Sequence, residues 1–123
     1  MERYVPTNQE FLNQLVGRQL SSVEFVTDYF QLRFDGPTIN VTSDVTLVCS
    51  SGKEAKWGDE HFRNLICGQI AKLVSAVVIK VELSLDITFE DGSLISVSLR
   101  PADQSTAEAV YFHGFENDSW GVA

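Results

Sequence analysis

Cysteine is scarce in this chain, and its scarcity limits the covalent links available to the fold. Only two cysteines occur among 123 residues, Cys49 and Cys67, and each lies beside apolar residues. Small secreted domains that depend on disulfides carry many more cysteines at regular spacings. We therefore expect both residues to be buried free thiols in a reducing compartment.

Long apolar runs are also missing. No stretch approaches the roughly 20 apolar residues that a membrane-spanning helix needs. The chain begins Met-Glu-Arg-Tyr-Val-Pro, without the basic head and apolar core of a secretion signal. The composition is that of an ordinary globular protein, and the length fits a single domain over residues 1–123. We expect a cytoplasmic protein with no membrane association.

Known motifs of catalysis and metal binding do not occur in the sequence. The two histidines, His61 and His113, are far apart, and no pair of histidines or cysteines has the spacing of a metal site. Nucleophile-elbow, phosphate-loop and dinucleotide-binding patterns are missing as well. We therefore predict no catalytic residue, no metal, no cofactor and no enzymatic activity, with His61 solvated and His113 at the end of a strand.

Basic residues are scarce in the second part of the chain. Residues 81–123 carry eight acidic residues and a single basic one, Arg100, whereas residues 1–80 are nearly balanced, and the net charge of the chain is −8. Because nucleic-acid phosphates need cations, this distribution argues against a nucleic-acid partner. It is compatible with solubility alone and with a basic protein partner attracted by the negative field.

The clearest pattern in the sequence is an antiparallel hairpin over residues 83–99. Apolar residues alternate with polar ones on both sides of Glu90-Asp91-Gly92. We predict a three-residue loop with Gly92 in the left-handed conformation. The predicted pairs on the apolar face are Ile87 with Ile95, Leu85 with Val97, and Leu83 with Leu99. Asp86 is then a solvent-facing strand residue and Asp91 a turn residue, rather than parts of an acidic site.

The rest of the chain predicts two short helices and further strands. The helices are expected to begin near Asn8 and Gly58 and to end at Gly17 and Gly68. Their predicted apolar faces are Phe11, Leu12, Leu15 and Val16 in the first, and Phe62, Leu65 and Ile66 in the second. Predicted strands cover 19–25, 30–34, 39–41, 45–49, 70–81 and 109–112, and Trp120 closes the sheet. A turn at Gly36-Pro37 would pair Phe34 with Ile39.

The two halves of the sequence share an order of features. A helix, a glycine, a strand and a hairpin follow one another in residues 7–57 and again in residues 58–121. We therefore predict an α+β fold, mainly β, in which two tandem helix-plus-antiparallel-hairpin units form a pseudo-repeat and share one core. Convergence of hairpin sequences is the alternative explanation.

Both tryptophans lie in polar surroundings. Trp57 stands between Lys56 and Gly58, and Trp120 follows Ser119. A tryptophan in such a place is either a plug of the core, which is the commoner outcome, or an anchor of an interface. The candidate partner-binding residues are these two tryptophans and the acidic residues near them: Trp57, Asp59, Glu60, Glu108, Glu116, Asp118 and Trp120.

Three parts of the sequence form a recognisable combination: Leu15-Val16-Gly17-Arg18-Gln19-Leu20, Leu32 with Phe34, and the ending Glu108-Ala109-Val110-Tyr111-Phe112-His113-Gly114. In these residues the chain resembles a group of small bacterial domains of uncharacterised function. Some of these domains are encoded beside polymorphic toxins and are regarded as immunity proteins. The resemblance spans residues 11–121 and rests mainly on hairpin sequence. It implies a bacterial, cytosolic, non-enzymatic protein and assigns no binding residue.

Three functional hypotheses remain open. The first is a protein-binding module of the immunity type, whose acidic C-terminal part meets a basic partner. The second is a homodimeric structural protein or a small-ligand-binding protein that uses the sheet surface or a cavity between the halves. The third, an enzyme, requires His61 or His113 within hydrogen-bond reach of a cysteine or a carboxylate in a pocket.

Overall fold

The computed structural model describes residues 8–100, 110–113 and 120–122, and these form two antiparallel sheets and two short helices. Helix α1 is Asn8–Leu12, continued by a 3-10 turn over Asn13–Leu15, and α2 is Phe62–Cys67. The strands in chain order are β1 (Ser22–Val26), β2 (Tyr29–Arg33), β3 (Thr38–Val41), β4 (Val45–Val48), β5 (Glu54–Lys56), β6 (Val74–Lys80), β7 (Ser84–Phe89), β8 (Leu94–Ser98), β9 (Val110–His113) and β10 (Trp120–Val122). The predicted α+β fold, mainly β and antiparallel, is confirmed.

Each sheet takes strands from both halves of the sequence. The first sheet has the order β1-β2-β3-β9-β10 and the second has the order β5-β4-β8-β7-β6. Strand β4 of the first half pairs with β8 of the second half, and β9 of the second half pairs with β3 of the first. The two predicted units therefore do not form one sheet each.

The two sheets nevertheless have the same connectivity. In each sheet three consecutive strands form a meander, and two strands from the other half extend it beside the third strand. The registers correspond as well. Neighbouring residues across three strands are Leu32, Ile39 and Phe112 in the first sheet, and Ile87, Ile95 and Leu47 in the second.

The β7–β8 hairpin confirms the register predicted from the sequence. Ile87 pairs with Ile95 across the two strands, and both side chains are fully buried. The N–H of Phe89 donates to the carbonyl of Ser93 over 2.9 Å, which closes the three-residue loop, and Gly92 has a φ of +89°. A glycine tolerates this left-handed conformation without a steric penalty, so the loop length and the register are fixed together.

Leu83 does not join the inward face of that hairpin, contrary to the prediction. Strand β7 begins at Ser84, and Leu83 lies in the preceding turn with 52% of its surface exposed. Its carbonyl still accepts a hydrogen bond from the N–H of Leu99. The backbone pairing therefore extends to Leu83, whereas the turn directs its side chain outward.

The pairing register of the β2–β3 hairpin differs from the prediction by two residues, because the turn lies one residue earlier in the chain. Its turn is Asp35-Gly36, with φ angles of +56° and +121°, and the N–H of Phe34 donates to the carbonyl of Pro37 over 2.7 Å. Ile39 consequently pairs with Leu32 instead of Phe34. A two-residue hairpin turn of this kind needs a positive φ at both central residues, which proline cannot adopt. Since the shift is even, the inward faces are unchanged.

Both helices are shorter than predicted. Helix α2 begins at Phe62 rather than Gly58, because the Asp59 carboxylate accepts a hydrogen bond from the backbone N–H of Lys56 over 2.8 Å and holds the intervening residues in a turn. Five residues of the predicted helical faces are buried: Phe11, Leu12, Leu15, Phe62 and Ile66. Val16 was predicted wrongly, since it follows the 3-10 turn and is 47% exposed.

The first strand of each meander begins later than predicted, at Ser22 and at Val74. The chain just before each strand pairs with its counterpart from the other half. Leu20 donates to the carbonyl of Lys72 over 3.0 Å, and Val74 donates to that of Arg18 over 2.9 Å. These contacts join the two meanders directly.

One contiguous cluster of buried apolar side chains takes residues from both sheets and both helices. Among its largest members are Phe30, Phe34, Phe62 and Phe89. Both cysteines are free thiols, as predicted, but their burial was overestimated, since Cys49 is half-buried and Cys67 is exposed. Cys67 is the last residue of α2 and directly follows the buried Ile66.

The loop of the β7–β8 hairpin is attached to the segment before β6 by an ion pair. The ammonium of Lys72 lies 2.5 Å from the Asp91 carboxylate, and the N–H and hydroxyl of Ser93 donate to the same carboxylate over 2.9 and 2.6 Å. The hydrogen bond from Lys72, supported by those from Ser93, holds the pKa of Asp91 well below its usual value. The ionised form is therefore favoured in the folded protein.

The Asp91 interaction predicts a pH dependence of stability. Because the pKa of Asp91 is lower in the folded chain than in the unfolded one, its contribution is complete above about pH 4 and is lost as the pH falls further. We expect Asp91→Asn to cost about 1 kcal/mol near neutral pH, as partly exposed ion pairs do, and progressively less toward pH 2. Urea unfolding at several pH values measures this difference. The control is Glu90→Gln in the same loop, and an equal pH dependence in both variants would contradict the assignment.

Candidate functional site

Trp57 lies at a corner of the molecule where the two sheets and α2 meet. It follows the last residue of β5, and its backbone N–H donates to the carbonyl of Val45 over 2.9 Å. Its ring stacks on Phe25 of β1, with 6.0 Å between centroids and 2° between planes. It also contacts Phe30 at 4.9 Å and Phe62 at 5.4 Å. Trp57 is thus partly a plug of the core, as one of the two interpretations of the sequence expected.

The remaining surface of Trp57 borders two concavities. The smaller is a cleft of about 120 Å³ lined by Trp57, Gly58, Asp59, Phe62 and Arg63. The guanidinium carbon of Arg63 lies 5.1 Å from the ring centroid of Phe25 and 5.9 Å from that of Trp57, a cation–π arrangement. Tryptophan and arginine are the residues that most often dominate protein interfaces.

Acidic residues lie next to this cleft. Asp59 and Glu60 are both exposed in the turn that joins β5 to α2. One carboxylate oxygen of Asp59 accepts a hydrogen bond from the backbone N–H of Lys56, which fixes the position of the Asp59 side chain. Three of the predicted partner-binding residues, Trp57, Asp59 and Glu60, are therefore brought together, as expected from their nearness in sequence.

The larger concavity is a groove of about 530 Å³ on the outer face of the second sheet. Its lining residues are Asp44, Val45, Thr46, Lys56, Trp57, Leu83, Ser84, Ser96, Ser98 and Arg100. Thr46 pairs with both Lys56 and Ser96 across the sheet, and Ser98 pairs with Ser84. The floor is therefore a row of hydroxyl groups from β4, β8 and β7, and the cations Lys56 and Arg100 are among the lining residues. We call it the hydroxyl groove.

Asp86 orders part of this face. Its carboxylate accepts a hydrogen bond from the Ser96 hydroxyl over 2.6 Å, and its second oxygen lies 3.5 Å from the ammonium of Lys80. Asp86 lies opposite Ser96 on the polar face of the hairpin, as predicted, but its side chain is only 19% exposed rather than fully solvent-facing. Within the described part of the chain, no group of three or more histidine, cysteine, aspartate or glutamate residues could hold a metal ion.

The other predicted partner-binding residues are not joined to this corner by the structure. Glu108, Glu116 and Asp118 lie outside the described residues. Trp120 begins β10, where it pairs with His113 of β9 and extends the first sheet, as predicted for its backbone. His61 is exposed just before α2.

Sequence reasoning missed the hydroxyl groove. The alternation over 83–99 placed Ser84, Ser96 and Ser98 on one polar face, but the pairing of β4 with β8, which adds Thr46, joins residues about 50 positions apart. Only the order of the strands reveals that Lys56 and Arg100 border the same concavity.

None of the helices among the described residues is long and apolar enough to cross a membrane. Comparisons of the chain with protein-family models, with curated proteins and with solved structures find no match.

Proposed function

We propose that this protein is a non-enzymatic protein-binding module that inhibits a basic partner in the manner of an immunity protein, in the cytoplasm of a bacterium. The observation that best supports the proposal is the corner at Trp57. There a tryptophan held by Phe25 and Phe30 borders an open cleft beside Arg63. A preorganised aromatic anchor of this kind loses little entropy on binding, which is typical of interface hot spots.

Charge supports a basic partner. Asp59 lines the cleft, Glu60 is the next residue of the same exposed turn, and the chain as a whole carries a net charge of −8. Exposed charges at the rim of an interface mainly accelerate association, while a buried aromatic anchor mainly slows dissociation. The proposal therefore assigns different kinetic roles to Trp57 and to the two acidic residues.

The test begins with capture of a partner from the native host at low salt and its purification. Binding of the purified partner is then measured by surface plasmon resonance. We expect Trp57→Ala to weaken binding about thirtyfold or more, mainly through faster dissociation. Asp59→Asn with Glu60→Gln should slow association at low salt. The amide oxygen introduced by Asp59→Asn can still accept the hydrogen bond from the backbone N–H of Lys56, so the turn is retained.

Glu54→Gln is the matched control, because it removes one exposed negative charge from β5. Wild-type affinity in the Trp57→Ala variant, or binding that does not change with salt, would contradict the proposal. Failure to recover any saturable partner would count against it equally.

A second candidate function is a homodimeric structural protein or a small-ligand-binding protein. Exposed apolar residues near the β6–β7 turn favour the first form: Val78, Val81 and Leu83 are 45%, 79% and 52% exposed. The hydroxyl groove favours the second. Light scattering distinguishes them, since a monomer at high concentration rules out the homodimer.

We also propose that the chain descends from the duplication of a helix-plus-strands unit, with halves near 7–57 and 58–121. The support is the shared connectivity of the two sheets and the matching registers around Ile39 and Ile95. Hairpin sequences that converge independently do not require the long-range pairing to correspond.

A further inference from the structure

We propose that the hydroxyl groove binds a small hydroxylated ligand that carries an oxyanion, a phosphate or a carboxylate, between Lys56 and Arg100. The site is on the outer face of the second sheet, and it does not depend on a protein partner.

Two cations at the groove have no partner among the described residues. The side chains of Lys56 and Arg100 are exposed and have no hydrogen bond or ion pair to any described residue. Other cations are engaged: Arg33 pairs with Glu24, Lys72 with Asp91, and Lys80 with Asp86. The residues that line the groove include two cations, Lys56 and Arg100, and one acid, Asp44. The neighbouring carboxylate of Asp86 is already engaged by Ser96 and Lys80. The lining therefore carries a net positive charge, in a chain whose net charge is −8.

The floor of the groove is rich in hydroxyl groups. Thr46, Ser84 and Ser96 present hydroxyl groups from three neighbouring strands. The Ser96 hydroxyl donates to Asp86, so its oxygen lone pairs are oriented away from that carboxylate and can accept from a ligand hydroxyl. Hydroxyl groups held on a rigid sheet can donate to an oxyanion and can also accept from a polyol.

The groove has the size of a small-molecule site and includes an aromatic residue in its lining. A volume of about 530 Å³ lies within the range of small-molecule sites. Trp57 is one of the lining residues, and its ring is held by contacts with Phe25 and Phe30. A rigidly held aromatic residue beside hydroxyls suits a ligand with both apolar and hydroxylated surfaces.

The corresponding positions of the first sheet carry different chemistry. There Gln31 and Asn40 occupy the register of Asp86 and Ser96, and Val122 occupies that of Lys56. The cation and hydroxyl set is therefore a property of this face and not a general consequence of the shared connectivity.

Nuclear magnetic resonance titration of the labelled full chain tests the proposal. The probes are glucose 6-phosphate, gluconate and uncharged glucose. We expect saturable shifts of the Thr46 and Ser96 amides with at least one of the two anions, and only weak, non-saturating shifts with glucose. Lys56→Ala and Arg100→Gln should each weaken binding about tenfold, since each removes a charge-assisted contact.

The matched control is Lys53→Ala, which removes one exposed lysine from the β4–β5 loop outside the groove. Binding of the phosphate alone, of gluconate alone, or of both supports the proposal and identifies the oxyanion. The proposal is overturned if neither anion gives saturable shifts, if glucose binds as tightly as the anions, or if Lys53→Ala weakens binding as much as Lys56→Ala. Wild-type dispersion in the spectra of the variants establishes that they are folded.

Discussion

Replacement of Phe30 by alanine is expected to lower the free energy of unfolding by about 3–5 kcal/mol. Phe30 is fully buried in β2, and its ring centroid lies 6.1 Å from that of Phe25, 4.9 Å from that of Trp57 and 5.8 Å from that of Phe62. The variant loses the burial of a large side chain and leaves a cavity between β1, β5 and α2 that these rings cannot fill without moving.

Phe25→Ala is the matched control for that prediction. Phe25 belongs to the same aromatic cluster but is only partly buried, so its truncation should cost about 1–2 kcal/mol. Urea unfolding followed by circular dichroism gives both values, and Trp57 fluorescence reports separately on the corner. Equal costs for the two variants would show that Phe30 is not the centre of the cluster. A large loss in Phe30→Ala should also weaken any binding that depends on Trp57.

Replacement of Gln9 by alanine is expected to destabilise the fold by about 1–3 kcal/mol and to uncover a sheet edge. The Gln9 amide nitrogen donates to the carbonyl of Val77 over 2.7 Å, and its oxygen accepts from the N–H of Ile79 over 2.9 Å. Strand β6 is an edge strand, and these two backbone groups face its open side. The Gln9 side chain of α1 thus makes the two hydrogen bonds that a neighbouring strand would otherwise make with β6 at this point.

Hydrogen exchange at the Ile79 amide gives the most specific measurement of this effect, and we expect it to accelerate in Gln9→Ala. Light scattering should show more aggregation of the variant, because an unpaired edge can pair with another chain. Gln31→Ala provides the control, since it removes the same amide from the outer face of β2. Unchanged protection of Ile79 in Gln9→Ala would show that α1 does not cover this edge.

The β7–β8 and β2–β3 hairpins differ in how well the local sequence predicted their registers. The β7–β8 register follows from alternation and from Gly92, so a correct loop length gave correct pairs. In β2–β3 the sequence Asp35-Gly36-Pro37 offers two candidate turns, and the choice of Gly36-Pro37 was wrong. The fixed negative φ of proline was the available signal, because a two-residue hairpin turn needs positive φ at both positions.

The candidate site was predictable only in part. Trp57, Asp59 and Glu60 could be selected because a tryptophan among polar residues is unusual and its acidic neighbours are close in sequence. The aromatic partners Phe25 and Phe30 were predicted as strand residues, but their contact with Trp57 joins the first sheet to the end of β5. Such contacts depend on how the sheets pack, which no local pattern encodes.

The sequence by itself determined most of the antiparallel strands, although not β5, together with most of their inward faces and the loop of the β7–β8 hairpin. These depend on interactions between residues close in the chain, namely alternation of apolar residues and the backbone freedom of glycine. The tertiary structure alone decided that the halves exchange strands, that Gln9 covers β6, and that Lys56 and Arg100 border one groove. The physical reason is that burial of apolar surface selects among many possible strand orders through contacts between residues distant in the chain.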